Sequence, residues 1–460
     1  MLSPRTPFVV FRKSFNAPLK RHFLPPWRGL LTLAIESSCD DTSVAIVEKK
    51  PQRASSASKI HFLESTSSDF RKFGGIHPLS ALVSHQENVA KLVHKAIPYL
   101  PITEEKVDTH RLVTMADGSR PRLRPDFISA TRGPGMRSNL AVGVDTAKGL
   151  SVAWQVPFVA VHHMQAHLLT PRLVSSLNGR SSKQNTPRLP FASLLVSGGH
   201  TFLVNSTSLT QHRVMADTCD LAIGVALDKT ARTILPDDVI QKNPGSSFGG
   251  LLEQYAFPNG PADYAGYKPP QSRREEILPR VSEWDWSISI PLANSREPRF
   301  SFTGIPSTVD RIVGEKKRRG ENIGEEERVH LARTAMQVCF EHLASRTVMA
   351  MVAAVERGEE KINTLVVSGG VAANRFLMTV MRSFLDARGF KHVKFDIPPP
   401  HLCTDNAAMI GWAGIEMYEA GWRSDLSCRI IRSWSLDPDA EDGGIMGAAG
   451  WVKDPSQTRP

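Results

Sequence analysis

The sequence predicts an α/β protein of two packed lobes, on three observations: its length, a strand–turn–strand unit that occurs twice, and a third strand that runs through glycines into a helical stretch. With 460 residues and 41% hydrophobic content the chain can bury two cores, because single domains usually hold about 100–200 residues. Leu31, Leu33 and Ile35 alternate with smaller residues, residues 37–42 are polar, and 44–47 are apolar again. That is the pattern of a hairpin. Residues 191–196, then Ser197-Gly198-Gly199-His200, then 201–204 repeat it, so the two halves are expected to be related. Residues 364–367 enter Ser368-Gly369-Gly370-Val371-Ala372-Ala373-Asn374, the order of strand, glycine turn and helix that holds phosphates. From about Arg328 to Arg357, Leu331, Ala335, Cys339, Leu343, Val348, Met351 and Val355 recur at helical spacing, with Glu325, Glu326 and Glu327 in front and Arg357-Gly358 behind. This reads as a long core helix whose methionines pack. The polar or proline-rich stretches 51–58, 103–125, 175–190 and 258–299 read as surface insertions.

Composition excludes several classes. Cys39, Cys219, Cys339, Cys403 and Cys428 form no CxxC pair, which argues against a disulfide framework or a zinc ribbon and for a reducing compartment. No run approaches the roughly 20 apolar residues that cross a bilayer, so no membrane association is expected. The first thirty residues carry Arg5, Arg12, Lys13, Lys20, Arg21 and Arg28, with Phe8, Phe11, Phe15 and Phe23 interleaved and no acid before Glu36. That is the composition of a mitochondrial transit peptide; a basic arm touching nucleic acid is the alternative. Without those six cations the formal net charge falls from +10 to +4, so charge by itself says little about RNA. Lys316, Lys317, Arg318 and Arg319 are the densest basic cluster in the remainder, although such runs are often plain solvated faces.

Three sets of residues can carry chemistry. His163 and His167, in His163-Met164-Gln165-Ala166-His167, fall four apart on one helix face, where two imidazoles can grip one metal. Ordinary helix histidines fit the same spacing, and no third ligand is fixed by it. Met164 stands where a zinc-protease HExxH has glutamate, which disfavours that hydrolysis. Ser197-Gly198-Gly199, Gly249-Gly250 and Ser368-Gly369-Gly370 read as small-residue turns after buried strands, and together they suggest a nucleotide cleft. Asp40 and Asp41, at the first hairpin tip, either share a metal, raise one another's pKa for base work, or form an Asx turn. Asp405, before a small-residue helix starting near Ala407, reads by position as its N-cap.

As a set, Ile35-Glu36-Ser37-Ser38-Cys39-Asp40-Asp41-Thr42, Gly133-Pro134-Gly135-Met136, the histidine segment, Leu195-Val196-Ser197-Gly198-Gly199-His200-Thr201, Phe300-Ser301-Phe302-Thr303-Gly304, Gly369 through Arg375 and Cys403-Thr404-Asp405-Asn406 resemble the tRNA threonylcarbamoyladenosine transferase family, formerly called O-sialoglycoprotein endopeptidases. The matches run in family order from about Leu31 to Leu436. The resemblance implies an actin-like, sugar-kinase-like ATPase fold with an interlobe cleft. On that plan 1–30 is a transit peptide, 31–170 the first lobe, 171–402 the second with insertions, 403–436 a segment returning to the first lobe, and 437–460 a tail. It implies metal ligands at His163, His167 and Asp405, holding one divalent ion per subunit, zinc or iron. It implies contacts to threonylcarbamoyl-AMP at Leu195, Val196, Ser197, Gly198, Gly199, Asp228, Gly250 and Asn374.

Asp40 and Asp41 match the family's acidic pair, and one of them is expected to accept the proton from N6 of adenosine 37 as AMP leaves. The mitochondrial branch implies matrix localisation, mitochondrial tRNAs reading ANN codons as substrate, a homodimer, and dependence on a separate enzyme that makes threonylcarbamoyl-AMP. Three positions depart from the pattern: Val225, Leu79 and Val83 stand where relatives carry polar residues. They keep open a catalytically impaired scaffold, and the shared fold keeps open an ATP-dependent small-molecule kinase.

Overall fold

A computed structural model describes residues 29–50, 58–68, 77–103, 107–179, 186–243 and 247–454. The basic leader expected at 1–30 lies almost wholly outside these residues. The first lobe is built from β1 (Leu30–Glu36), β2 (Asp41–Lys49), β3 (Lys59–Ser67), α1 (Pro78–Ala96), a small ribbon of β4 (Leu112–Val113) and β5 (Arg122–Leu123), β6 (Phe127–Gly133), α2 (Arg137–Trp154), β7 (Phe158–His162) and α3 (His163–Leu177). The second follows with β8 (Phe191–Val196), β9 (Thr201–Ser206), β10 (His212–Asp217), α4 (Ile223–Ile234), α5 (Asp237–Lys242), α6 (Phe248–Ala256), α7 (Arg273–Glu276), β11 (Arg280–Val281), β12 (Ser287–Ile288), α8 (Gly304–Arg318), α9 (Glu325–Glu356), β13 (Thr364–Ser368), α10 (Arg375–Ala387) and β14 (Lys394–Asp396). The chain ends through α11 (Pro400–Cys403), α12 (Ala407–Glu419), β15 (Trp422–Ser424), α13 (Gly444–Gly447) and β16 (Trp451–Lys453).

The two sheets share one plan. In the first, β3-β2-β1-β6-β7 lie in that order, and in the second β10-β9-β8-β13-β14 do. In each, an antiparallel hairpin leads the sheet and its first strand pairs in parallel with the later strands. The expected relation between halves is therefore present in the topology. β15 and β16 extend the first sheet beyond β7, so residues 437–460, expected as a tail, supply a sheet strand.

Alternation explains how the first sheet is covered on both faces. Leu31, Leu33 and Ile35 pack with α1 and α2 residues such as Leu92 and Val144. Ala34, Ala45 and Val47 pack with α3 and α12 on the other side, because successive side chains of a strand point to opposite faces. A Cβ on Gly411 would lie 2.9 Å from a Val47 methyl, and one on Gly414 2.9 Å from the Ser129 Cβ. The small residues of α12 thus let it ride directly on the sheet. Arg172 of α3 pairs with Glu416 of α12 at 2.8 Å, both buried, and Trp412 Nε1 donates to the same carboxylate at 2.8 Å. α3 and α12 are locked together by charge as well as packing.

Several expectations change. α3 runs to Leu177 through Pro171, so the first lobe's chain does not end at 170, and the stretch from 175 begins inside a helix. Residues 258–299 are no mere surface insertion: Tyr264, Trp286, Ile288 and Ile290 are buried in the second lobe's core. The long helix begins at Glu325, with its three glutamates forming the first turn, where they favour the positive end of the helix. It is long and apolar enough to cross a membrane, yet most of that stretch is buried, as in the core helix of a folded lobe.

Candidate metal centre and cleft

α3 begins without a linker after β7. His162 caps it: its Nδ1 accepts from the backbone N–H of Met164 at 3.1 Å and of Gln165 at 3.3 Å. Burial lowers the His162 pKa to about 3, so a neutral ring is available to accept. The next turns carry His163 and His167 on one face, with Nε2 atoms 3.2 Å apart.

Asp405 meets them from 238 residues away. Its Oδ1 is 3.0 Å from His167 Nε2 and 3.5 Å from His163 Nε2. The N-cap of α12 is Asn406, whose side chain accepts from Met409 N. That corrects the positional reading of Asp405 as the cap and frees its carboxylate to face the histidines. Among the described residues these three form the one group able to hold a metal, with all ligand atoms within 4.8 Å of one another. Ligands about 2.1 Å from a shared ion must lie at most about 4.2 Å apart, and the pair distances here satisfy that. Burial opposes charge on His163, but Asp405 and Glu36 outweigh it and raise the ring's pKa to about 9. Burial likewise opposes charge on Asp405, and His163 and His167 hold it below the ordinary carboxylate range. The surroundings therefore favour positive charge between these groups, and two imidazoles with one carboxylate suit zinc or iron.

Glu36 was not singled out by sequence reasoning as a site residue. Period two continues the Thr32–Ala34 face of β1, which points at α3, to Glu36, and that periodicity was the available signal. It is fully buried; its Oε1 accepts from Ser38 N at 2.6 Å, its Oε2 accepts from the Thr131 hydroxyl and lies 3.3 Å from His163 Nδ1.

The acid turn between β1 and β2 is held from three sides. Met136 N donates to Ser38 O at 2.8 Å, Asn139 Nδ2 donates to Cys39 O at 2.6 Å, and His85 of α1 contacts both Cys39 O at 3.1 Å and Thr42 Oγ1 at 2.7 Å. Asp41 opens β2 rather than sitting at the tip, and accepts from the Ser67 hydroxyl. Burial raises its pKa, as do the like charges of Asp40, Asp405 and Glu36, against the Ser67 hydrogen bond. Asp40 and Asp41 are not in the metal-capable group.

Across the cleft, the Ser197 hydroxyl accepts from Gly199 N at 3.2 Å and His200 N at 2.9 Å. A Cβ on Gly198 or Gly199 would meet nothing within 4 Å, so this backbone faces open space. Leu195 and Val196 are buried and can offer only main-chain groups. Ser368 lies beside Leu195 in the parallel pair, and Gly369 (φ 101°) is required because a Cβ there would come 2.3 Å from Val196 O. Asn374 caps α10 by accepting from Leu377 N at 2.9 Å. Gly249-Gly250 does not follow a strand: it forms the first turn of α6. Asp228 Oδ1 accepts from Gly249 N at 3.1 Å and Gly250 N donates to the Ser247 hydroxyl at 3.2 Å. α4, which carries Asp228, starts on the Ser197 turn through Gly224 N donating to Ser197 O at 3.1 Å. Met164 and Leu168 of α3 pack with Leu195 and Val204 of the second lobe, which brings the histidine helix against the glycine side.

Two lobes of one plan, with a His–His–Asp centre and glycine turns between them, define an actin-like ATPase-type fold with a metal-capable cleft. The chain belongs to the tRNA N6-adenosine threonylcarbamoyltransferase (TsaD) family, whose sequence model matches residues 122–412. A Schizosaccharomyces pombe protein named tRNA N6-adenosine threonylcarbamoyltransferase, mitochondrial, is 34% identical over 93% of this chain and 90% of its own length. Bacterial relatives of the same enzyme name include one from Zymomonas mobilis, 31% identical over 89% of this chain and 93% of its own, and one from Sphingopyxis alaskensis, 33% identical over 91% and 98%.

Proposed function

We propose that this chain transfers the threonylcarbamoyl group from threonylcarbamoyl-AMP to N6 of adenosine 37 in mitochondrial tRNAs reading ANN codons, releasing AMP. The observation that carries the reading is the convergence of His163, His167 and Asp405 beside the acid turn, in a member of this enzyme family. The N6 amine is a poor nucleophile because its lone pair is delocalised into the ring. The donor must therefore be an activated carbonyl, and the site must take up a proton. The mixed anhydride with AMP supplies the activation.

His163, His167 and Asp405 would hold one divalent ion, zinc or iron. Such an ion supplies Lewis-acid stabilisation of charge on the donor's oxygens and a template for its orientation. The open backbone at Ser197, Gly198 and Gly199, with Asn374 opposite and Asp228 and Gly250 beyond, would seat the AMP portion. N6 attacks the carbamoyl carbon, the carbon–oxygen bond to the AMP phosphate breaks, and Asp41 accepts the amine proton. Its raised pKa brings its basicity toward the working range. Asp40 stands beside it as the second acid.

An anticodon-loop base is unpaired already and needs only modest unstacking to enter the cleft. The basic cluster at the end of α8 is a poorer RNA contact than its composition suggests, since Lys316 is tied to Glu327 at 2.7 Å and largely buried. The exposed Arg137 and Arg432 are better placed. Arg137 follows Met136, which is bonded to Ser38, and Arg432 O accepts from Gly135 N at 3.1 Å. The N-terminal leader and the mitochondrial relative support a matrix location. A homodimer and a separate enzyme supplying threonylcarbamoyl-AMP complete the reading. Incubation of purified protein with threonylcarbamoyl-AMP and unmodified tRNA, followed by nucleoside analysis, tests it: threonylcarbamoyladenosine and AMP should form in equal amounts. Phosphorylation of a small molecule by ATP, with no modified nucleoside, would point to a kinase instead.

A further inference from the structure

Glu36 is a buried acid beside the histidine pair with no role in the reaction described above. A carboxylate this deep is costly unless its lone pairs are used, and here they are: Ser38 N at 2.6 Å, the Thr131 hydroxyl, and His163 Nδ1 at 3.3 Å. We infer that Glu36 is a positioning residue with two duties: it fixes His163 as the Nδ1–H tautomer, and through Ser38 N–H it ties the acid turn to that same ring.

The tautomer follows from donor and acceptor chemistry. With a metal taken at Nε2 the imidazole is neutral and carries one N–H, and an ionised carboxylate can only accept. Facing Glu36, Nδ1 must hold the hydrogen, so the Nε2 lone pair turns toward His167 Nε2, 3.2 Å away, and Asp405 Oδ1, 3.5 Å away. A carboxylate behind a ligating histidine also makes the ring a better donor. Ser38 Oγ, 3.3 Å from the same Nδ1, can accept from it as well. The second duty has a geometric consequence: ring and turn share one anchor, so Asp40 and Asp41 are held in register with the centre from which the donor is to be attacked.

The inference rests on the ligand assignment proposed above, and the experiment separates the two. Zinc is titrated into metal-free protein against a chromophoric chelator, and the zinc-loaded protein is examined by 15N NMR of its histidines. In E36Q the amide nitrogen can donate to Nδ1 and stabilise the opposite tautomer. The expected result is a loss of zinc affinity of about 10- to 100-fold, with a changed His163 nitrogen pattern, a lower kcat and an unchanged KM for tRNA. Wild-type affinity together with a wild-type tautomer in folded E36Q overturns the inference. Glu36→Asp, which keeps the charge but withdraws it by one methylene, gives the same test if the Gln variant does not fold. In that case wild-type affinity and tautomer overturn the inference equally. Undiminished zinc binding in His163→Ala and Asp405→Ala would instead remove the ligand assignment itself.

Discussion

At the end of β1 the chain turns through Ser37, Ser38, Cys39 and Asp40, and at the equivalent end of β8 it turns through Ser197, Gly198, Gly199 and His200. The first turn is approached so closely that a Cβ on Gly143 would lie 2.3 Å from Ser37 Oγ and one on Gly135 2.6 Å from Ser38 O. Its carbonyls are committed to Met136, Asn139 and His85. The second is exposed, and its glycines have open space where side chains would be. One sheet plan thus supplies two different tools. The immobilised turn holds Asp40 and Asp41 beside a buried carboxylate and the histidine pair; the open turn closes on itself, with Gly199 N and His200 N bonded to the Ser197 hydroxyl, and leaves its glycine backbone bare. The same topological position carries acids in one lobe and exposed glycine backbone in the other.

The largest expected break of this contrast is at the centre that the first turn borders. Asp405→Ala should release bound metal and lower kcat on the order of a thousandfold, the scale of several kcal/mol of lost charge stabilisation, with metal content read by elemental analysis. Asp41→Asn should keep metal and tRNA affinity but lower kcat by about 10²- to 10³-fold. Since Asp41 is held above the usual carboxylate pKa by burial and like charges and must be deprotonated to act, activity should fall as pH drops through that raised value. The acid limb of the kcat profile should be missing in the Asn variant.

The glycine side separates by the same reasoning into open and filled positions. Gly198→Ala should leave stability within about 0.5 kcal/mol yet raise KM for threonylcarbamoyl-AMP about tenfold, about 1.4 kcal/mol. Gly369→Ala should destabilise the fold by about 1–3 kcal/mol in thermal unfolding, since both its φ of 101° and the Val196 carbonyl 2.3 Å away exclude a Cβ. The smallest effect is expected at His85→Ala. It removes two contacts from the acid turn without touching a ligand residue and should lower kcat a few-fold, within the roughly hundredfold range of misplacement effects, with metal content unchanged.

Much of this architecture was legible in the chain. Alternation at Leu31, Leu33 and Ile35, repeated before Ser197, announced two sheets of one kind, and the four-residue spacing of His163 and His167 announced one helix face. Local periodicity can do this because it depends only on how neighbouring residues project from a strand or helix. The glycine turns suggested a nucleotide cleft by themselves, and the resemblance then supplied Asp405 as a third metal ligand.

Other features depended on what lies far apart in sequence. Asp405 read locally as a cap until Asn406 was found in that role, and Gly249-Gly250 read as a strand-end turn until it opened α6. Residues 258–299 read as surface because proline and polar residues dominate them, whereas Tyr264, Trp286 and Ile288 anchor them in the core. Glu36 was not distinguished as a site residue, because its partners Ser38, Thr131 and His163 come together only in the fold. What the sequence determined alone was which residues share a face, since backbone geometry fixes that over a few residues. Which faces meet was decided by packing: α12 crosses back over β1 and β2 at Gly411 and over β6 at Gly414, bringing a carboxylate 238 residues down the chain to two imidazoles. That contact distance is set by close-packed side chains from both ends of the chain, and no local pattern encodes it.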